Sequence, residues 1–404
     1  MEGDFIKINE WLLPLSWLYG LGVRFRNLLF DMGILKQRTY SIPIISVGNI
    51  TVGGSGKTPH VEHLVRLLKD KTKVAVLSRG YKRKSKGYVL ADASTPMSQI
   101  GDEPFQMKQK FPDIYVAVDK KRTHGIDRLT HDEQTKDVDV ILLDDAFQHR
   151  YVKPGINILL VDYHRLIIYD KLIPAGRLRE PLEGKNRADI VIITKCPQDL
   201  KPMEIRVLTK AINLYPYQSL YFTTIDYLPL ERFDGRDTKP LDSIKGYHVL
   251  LLTGIASPKQ ILQDLSPYEL DIKAMPFADH HAFSDKDIER VNNAFAAMPS
   301  PKIIITTEKD AARLQGVAAG SPSAGLSTTV SRQPLSEEAT RGLFILPIRI
   351  RFMLDSEEIF NQKIISYVQK NSRNSILVKG KDDRPTPSSH HSEKKPRTIS
   401  FRNN

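Results

Sequence analysis

"SVGNITVGGSGKTPHVEHL" (46–64) closes a short apolar run and opens a stretch of helical period. Its centre is Gly53-Gly54-Ser55-Gly56-Lys57-Thr58, the composition of a turn that holds phosphate. Small residues let several backbone N–H groups converge on one oxyanion. A helix that starts directly after the turn adds its N-terminal partial positive charge. In such a loop Lys57 reaches the β- and γ-phosphates, and the Thr58 hydroxyl serves Mg2+. Pro59 falls in the first helical turn, where its missing N–H costs nothing. The pattern G-x-x-x-x-G-K-[ST] meets Thr51 at its first Gly. That departure weakens the match but leaves the turn-forming GGSGKT whole.

Working outward, short apolar runs recur: "SIPIISVG" (41–48), "KVAVLS" (73–78), "IYVAVD" (114–119), "VDVILLDD" (138–145), "INILLVD" (156–162) and "DIVIITK" (189–195). Unbroken apolar runs suit strands covered on both faces of a parallel sheet. Helix-like stretches separate several of them, as at 59–69, where Val61, Leu64, Val65 and Leu68 share one face. The alternation predicts a P-loop-type, doubly wound α/β domain over 36–217. "YHVLLLTGIA" (247–256) and "KIIITTEKD" (302–310) predict a smaller α/β domain over 233–340, with helices at 258–266 and 284–298. The flanking "SLYFTTIDYLPL" (219–230) and "LFILPIRIRFML" (343–354) are β-branched and aromatic. They are expected to pair as a two-stranded β linker, 218–232 with 341–354. The Gly/Ala/Ser-rich stretch 315–340 reads as a loose insertion, 356–370 as a helix, and 371–404 as a basic disordered tail.

The 404 residues can bury two ordinary cores, and 41% hydrophobic with 26% charged is the composition of a soluble globular protein. A single cysteine, Cys196, excludes an intrachain disulfide framework. No run reaches the roughly 18 apolar residues of a membrane span, and no secretion signal is expected. The formal charge is +12, and 371–404 holds eight Lys/Arg against three Asp/Glu, so the tail supplies +5 of it. A basic surface suits phosphate, anionic lipid or nucleic acid. No helix-turn-helix, RRM or zinc-finger signature is present, so no nucleic-acid partner is expected.

Both tryptophans of the chain lie in "WLLPLSWLYGLGVRFRNLLFDMGIL" (11–35). Leu18, Leu21, Phe25, Leu28, Leu29 and Met32 recur at helical spacing, with Arg24, Asn27 and Asp31 opposite. Two readings are open: a helix lying at a membrane interface, or an amphipathic helix packed on its own domain.

Other candidates lie in loops. Asp144 and Asp145 end an apolar run, where a carboxylate can organise Mg2+. "SRGYKRKSKG" (78–87) is strongly basic. Asp102 and Glu103 precede a Pro-started helix, and taken alone Asp102 reads as an N-cap. "PAGRLREPLEG" (174–184) offers Arg179 and Glu180. "FADHHAFSDKD" (277–287) offers Asp279, His280 and His281, though adjacent histidines rarely share one metal. "IVIITKCP" (190–197) stands where nucleotide-driven switches of the GTPase kind read guanine, but the discriminating Asp is absent. A P-loop switch or carrier at the membrane surface is therefore the alternative reading.

In this order, "VGNITVGGSGKTP", "SRGY", "GDEP", "DDAFQH", "PAGRLREPL", "TGIASP", "DHHAFSDKD" and "TTEKDAARL" resemble the tetraacyldisaccharide 4'-kinase family, from about 44 to 314. The family has Thr or Ser at the place of Thr51, and DDGFQH where this chain has Ala146. The resemblance implies two α/β/α domains joined by a two-stranded linker. It implies transfer of the ATP γ-phosphate to the 4'-hydroxyl of a tetraacylated glucosamine disaccharide 1-phosphate, at the cytoplasmic face of the inner membrane. It implies that residues 1–35 meet that anionic surface; a monomer is expected. Carried over residue by residue, Asp102 pairs with His280 as the base, which reverses the N-cap reading. Lys57 and Asp145 are catalytic. Thr51, Gly53, Gly54, Ser55, Gly56, Lys57, Thr58 and Arg179 bind ATP, and Thr58, Glu180 and Asp144 hold Mg2+. Glu103, Gln148 and His149 match further active-site positions.

Overall fold

A computed structural model describes residues 6, 8–255, 259–278, 281, 283–318 and 335–372. Every position of Ile44–Gly48, Val74–Ser78 and Val140–Asp144 is buried. Only strands covered on both faces satisfy that pattern. The strands of the described residues are β1 (Ile44–Gly48), β2 (Val74–Ser78), β3 (Val89–Ala91), β4 (Tyr115–Val118), β5 (Val140–Asp144), β6 (Ile156–Asp162), β7 (Ile190–Thr194), β8 (Ser219–Tyr227), β9 (Leu230–Arg232), β10 (Thr238–Lys239), β11 (His248–Thr253), β12 (Asp271–Pro276), β13 (Lys302–Thr307), β14 (Leu343–Leu346) and β15 (Ile348–Phe352). The helices are α1 (Leu13–Asp31), α2 (Lys57–Leu68), α3 (Met97–Ile100), α4 (Asp102–Lys110), α5 (Arg122–His131), α6 (Pro202–Ile212), α7 (Lys259–Leu265), α8 (Asp285–Ala296), α9 (Glu308–Ala318), α10 (Glu337–Gly342) and α11 (Glu357–Asn371).

The large sheet runs β15-β8-β7-β6-β1-β5-β2-β4-β3, parallel from β8 through β4. Only β3 and β15 at its edges are antiparallel to their neighbours. After β1 the chain steps to β2 and β4, returns to β5, then crosses to β6, β7 and β8 on the other side. Strand order therefore reverses at β1, and ligands of open α/β sheets bind outside the carboxyl ends at such a point. The loop 49–56 leaves β1 there, and Asp144 ends β5 beside it.

The second sheet runs β10-β9-β14-β13-β11-β12. The segments expected as a two-stranded linker pair antiparallel from Ile348↔Tyr227 to Phe352↔Thr223. They do so as the outer two strands of the large sheet, because β8 also pairs parallel with β7. Just beyond, Phe344↔Arg232 pairs β14 with β9 in the second sheet. Two adjacent chain segments thus cross between the sheets together. β3 and β12 were not expected; they are short or solvent-facing and lack a continuous apolar run. Residues 319–334 and 373–404, within the expected insertion and tail, lie outside the described residues.

Helix α1 packs in an unusual sense. Ser16 and Gly20 are buried, while Trp17, Leu18, Leu21, Phe25 and Leu28 are exposed, as are Trp11 in the turn before the helix and Met32 at its end, Trp11 at 93% and Trp17 at 84%. Small and polar atoms make the attachment. Ser16 Oγ donates to the Leu172 carbonyl at 2.9 Å and accepts the Ala175 N–H at 2.9 Å. The Tyr19 hydroxyl donates to the Arg179 carbonyl at 2.6 Å, and Arg150 pairs with Asp31 at 2.5 Å. The helix is therefore both packed on the domain and apolar outward. No helix of the described residues is long and apolar enough to cross a membrane.

Candidate active site

The glycine turn has the backbone its sequence demands. Gly53 (φ 122) and Gly56 (φ 79) occupy the left-handed region that side chains resist. Gly48, at the end of β1, has no room for a side chain: a Cβ would lie 2.7 Å from Phe147 Cβ. The first strand and the "DDAFQH" loop can touch only because that position is bare. Thr51 is a bridge residue. It pairs with Leu178, and its hydroxyl accepts from Asn49 Nδ2 at 3.3 Å. On either side, Arg179 N–H donates to the Ile50 carbonyl at 2.7 Å and Val52 N–H to the Arg177 carbonyl at 2.8 Å. A side chain is accommodated at 51 because the chain is extended there rather than turning.

Helix α2 begins at Lys57, capped by Gly56. Its first N–H groups have no intrahelical acceptor, which gives the helix end its partial positive charge. Lys57 Nζ lies 3.5 Å from Asp145 Oδ1. Arg179 Nη1 donates to both Asp145 oxygens at 3.2 Å. Burial pushes the Asp145 carboxyl up, but Lys57 and Arg179 outweigh it and hold it below its ordinary range. Asp145 is a carboxylate between two cations.

Asp144 is the opposite case. It is buried, its Oδ1 has no hydrogen-bond partner, and burial together with Glu103 and Asp145 pushes its carboxyl up to about 7. Arg122, fully buried, donates to the Asp144 carbonyl at 2.9 Å and to the Asp119 carbonyl at 2.6 Å, fixing the backbone beneath. An unpartnered buried carboxylate oxygen among acids is a group that a cation would satisfy.

The network continues to Glu180. Gln148 Nε2 donates to Glu180 Oε1 at 2.9 Å and to the Asn49 carbonyl at 2.7 Å. Arg187 pairs with Glu180 Oε2 at 2.7 Å. Lys57, Asp145, Arg179, Gln148 and Glu180 are thus one connected set. His149 points elsewhere: its Nε2 meets the Lys120 carbonyl at 3.1 Å, and burial beside Arg122 lowers it to about 4. Among the described residues no three His, Cys, Asp or Glu form a closed metal cage. Nucleotide-bound Mg2+ does not need one, since one or two carboxylates and the phosphates share it.

Asp102 is the first residue of α4, and Gly101, not Asp102, is the cap. The Asp102 carboxylate faces the second sheet's α9, where Arg313 Nη2 donates to it at 2.7 Å. Arg313 is itself fixed by Asp310 at 2.8 Å and the Gly254 carbonyl at 3.1 Å. Lys309 pairs with Glu103 at 2.9 Å, and Lys110 bridges Glu62 and Glu308. Burial would lower Lys309, but Glu103 and Asp102 raise it on balance. The "GDEP" acids of α4 are therefore clamped by the "TTEKDAARL" cations of α9. His280, expected to pair with Asp102, lies outside the described residues, as does Asp279. His281 Nε2 meets the Asp287 carboxylate at 2.9 Å, at the capped start of α8. Residues singled out only as motif letters, Arg313 and Lys309, carry contacts that no local spacing signalled.

A sequence model described as tetraacyldisaccharide-1-P 4'-kinase matches residues 8–358. The chain belongs to that family. It is 56% identical to the tetraacyldisaccharide 4'-kinase of Phocaeicola vulgatus, over 93% of this chain and 99% of that protein. It is 48% identical to the one from Bacteroides thetaiotaomicron, over 93% and 97%. A crystal structure of LpxK from Aquifex aeolicus in complex with ATP superposes with TM-score 0.66 at 30% identity, covering 88% of this chain and 98% of that one. The P-loop-type α/β fold and the family resemblance read from the motifs are thus borne out.

Proposed function

We propose that this chain is a tetraacyldisaccharide 4'-kinase, moving the ATP γ-phosphate to the 4'-hydroxyl of a tetraacylated glucosamine disaccharide 1-phosphate. One observation carries the reading: Lys57, at the start of α2, lies 3.5 Å from Asp145 where strand order reverses. Phosphoryl transfer asks for positioning and charge neutralisation more than covalent chemistry. The free amides of the glycine turn cradle the triphosphate, Lys57 and Arg179 spread its developing charge, and Asp145 keeps both cations in place. Mg2+ would satisfy the partnerless oxygen of Asp144, and Thr58 and Glu180 would be its further protein ligands. When bound it neutralises phosphate charge. Asp102, oriented by Arg313, and His280 take the proton of the sugar hydroxyl.

The acceptor is a lipid, and the exposed stripe of Trp11, Trp17, Leu18, Leu21 and Phe25 is the surface that meets its membrane. Arg24, exposed on the same helix, favours an anionic surface, the cytoplasmic face of the inner membrane.

The test supplies purified protein with γ-labelled ATP, Mg2+ and vesicles carrying the disaccharide 1-phosphate. Label is expected on the lipid. ATP turnover indifferent to the lipid would overturn the reading.

A further inference from the structure

Three consecutive carbonyls of the glycine turn are each held from outside by a side chain. The Gly54 carbonyl accepts from Lys195 Nζ, and that ammonium also pairs with Asp162 at 2.7 Å. The Ser55 carbonyl accepts from Thr194 Oγ1 at 3.1 Å. The Gly56 carbonyl meets His60 Nδ1 at 2.7 Å, while His60 Nε2 lies 3.1 Å from the Thr223 hydroxyl. His60 is buried and burial lowers it to about 4, so the ring is neutral. A carbonyl can only accept, so the single ring proton is on Nδ1 and Nε2 accepts from Thr223.

In a trans peptide the C=O and the following N–H point in opposite directions. Drawing the Ser55 and Gly56 carbonyls toward Thr194 and His60 turns the amides of Gly56 and Lys57 away from the scaffold. The Ser55 N–H is engaged by the Gly53 carbonyl at 3.1 Å, and the Lys195 contact one residue on holds that tight turn. Gly53, Gly54 and Gly56 have little intrinsic resistance to a peptide flip. The restraint that glycine lacks comes from β7's end and from α2. Lys195 itself sits at φ 58, a conformation that few residues other than glycine adopt.

We infer that His60, Thr194 and Lys195 are positioning residues for the triphosphate, holding the carbonyls of 54–56 outward so that the turn keeps its shape and the Gly56 and Lys57 amides face the phosphates before ATP arrives. The inference rests on the reading above, that ATP phosphates occupy this turn. The polar atoms of all three are spent on the turn's carbonyls and on Thr223 and Asp162 behind it. Their contribution is to remove the reorganisation that a free glycine loop would undergo on binding.

The test measures KM for ATP, KM for the lipid disaccharide and the melting midpoint of the unliganded protein. The variants are Lys195→Met, Thr194→Val and His60→Leu, with Thr194→Ser and His60→Asn as the conservative partners. Each of the first three is expected to raise KM for ATP about tenfold, the loss of roughly one hydrogen bond's worth of order. KM for the lipid stays within about twofold of wild type. Thr194→Ser and His60→Asn, whose side chains can still donate, recover most of the loss. Lys195 is a quarter exposed, so Lys195→Met keeps the test open if a buried variant misfolds. KM for ATP unchanged in Lys195→Met, or both KM values rising together, overturns the inference. Lys57→Ala separates the two levels. If it binds ATP like wild type, the reading of the turn fails; if it loses ATP while Lys195→Met does not, only the positioning role fails.

Discussion

Helices α1 and α2 carry the same kind of pattern and put it to opposite use. Both show apolar residues at three- and four-residue spacing. In α2 the face of Val61, Leu64, Val65 and Leu68 is buried, and the helix presents its N-terminus to the glycine turn. In α1 the apolar face is the exposed one, and Ser16, Gly20 and Phe30 make the attachment. Periodicity announces that a helix has two faces. It does not say what covers the apolar one. That is decided by which face carries groups able to satisfy the partner, and on α1 these are a serine, a tyrosine hydroxyl and a bare glycine.

Four experiments test the contrast. The largest effect belongs to α2. Val61→Asp buries an unpaired charge in the core and is expected to cost more than about 4 kcal/mol, read as loss of the cooperative urea transition. A near-normal transition would show that this face is not sealed. The matching change on α1, Leu21→Ser with Phe25→Ser, leaves the transition midpoint unaltered and weakens vesicle binding by about 3 kcal/mol, from two side chains at roughly 1.5 kcal/mol each. Retained binding in a flotation assay would mean that the exposed stripe meets something other than lipid.

A smaller effect comes from His60 at the start of α2. Its folded value of about 4 lies below the ordinary 6.5. As pH falls below 6.5 the unfolded imidazole binds a proton and the folded one does not, so stability drops until about pH 4. Between pH 7 and pH 5 this amounts to about 2 kcal/mol. His60→Asn removes that share of the pH dependence; an unchanged difference between the two pH values would show that the ring is not held neutral. The smallest effect is Gly20→Ala on α1. The new Cβ meets only the Leu172 Cδ1 methyl, at 2.6 Å. Its displacement offsets the helix propensity gained, about 1 kcal/mol. The net change in the urea midpoint is below about 1 kcal/mol, and a larger loss would show that Leu172 cannot yield.

The same contrast explains what could be read from the sequence. Buried parallel strands were legible because a segment covered on both faces must be apolar throughout, as in Ile190–Thr194. β12 was not, since only Met275 of its six residues is buried. Within the site, Lys57 and Asp144–Asp145 were legible because a glycine turn and a strand-ending acid have local signatures. Arg313 was not, because its partner Asp102 is 211 positions away. His60 was hidden for another reason: a histidine on an apolar helix face looks like core, and only the fold places the Gly56 carbonyl and Thr223 at its two nitrogens.

Above all, the free amides of the glycine turn, backed by Lys57, are to receive the triphosphate. Crystals of this protein soaked with a non-hydrolysable ATP analogue and Mg2+ test it most directly. The account predicts β- and γ-phosphate oxygens within hydrogen-bond distance of the Gly56 and Lys57 amides and of Lys57 Nζ. An empty turn, with the triphosphate bound elsewhere on the chain, would contradict it.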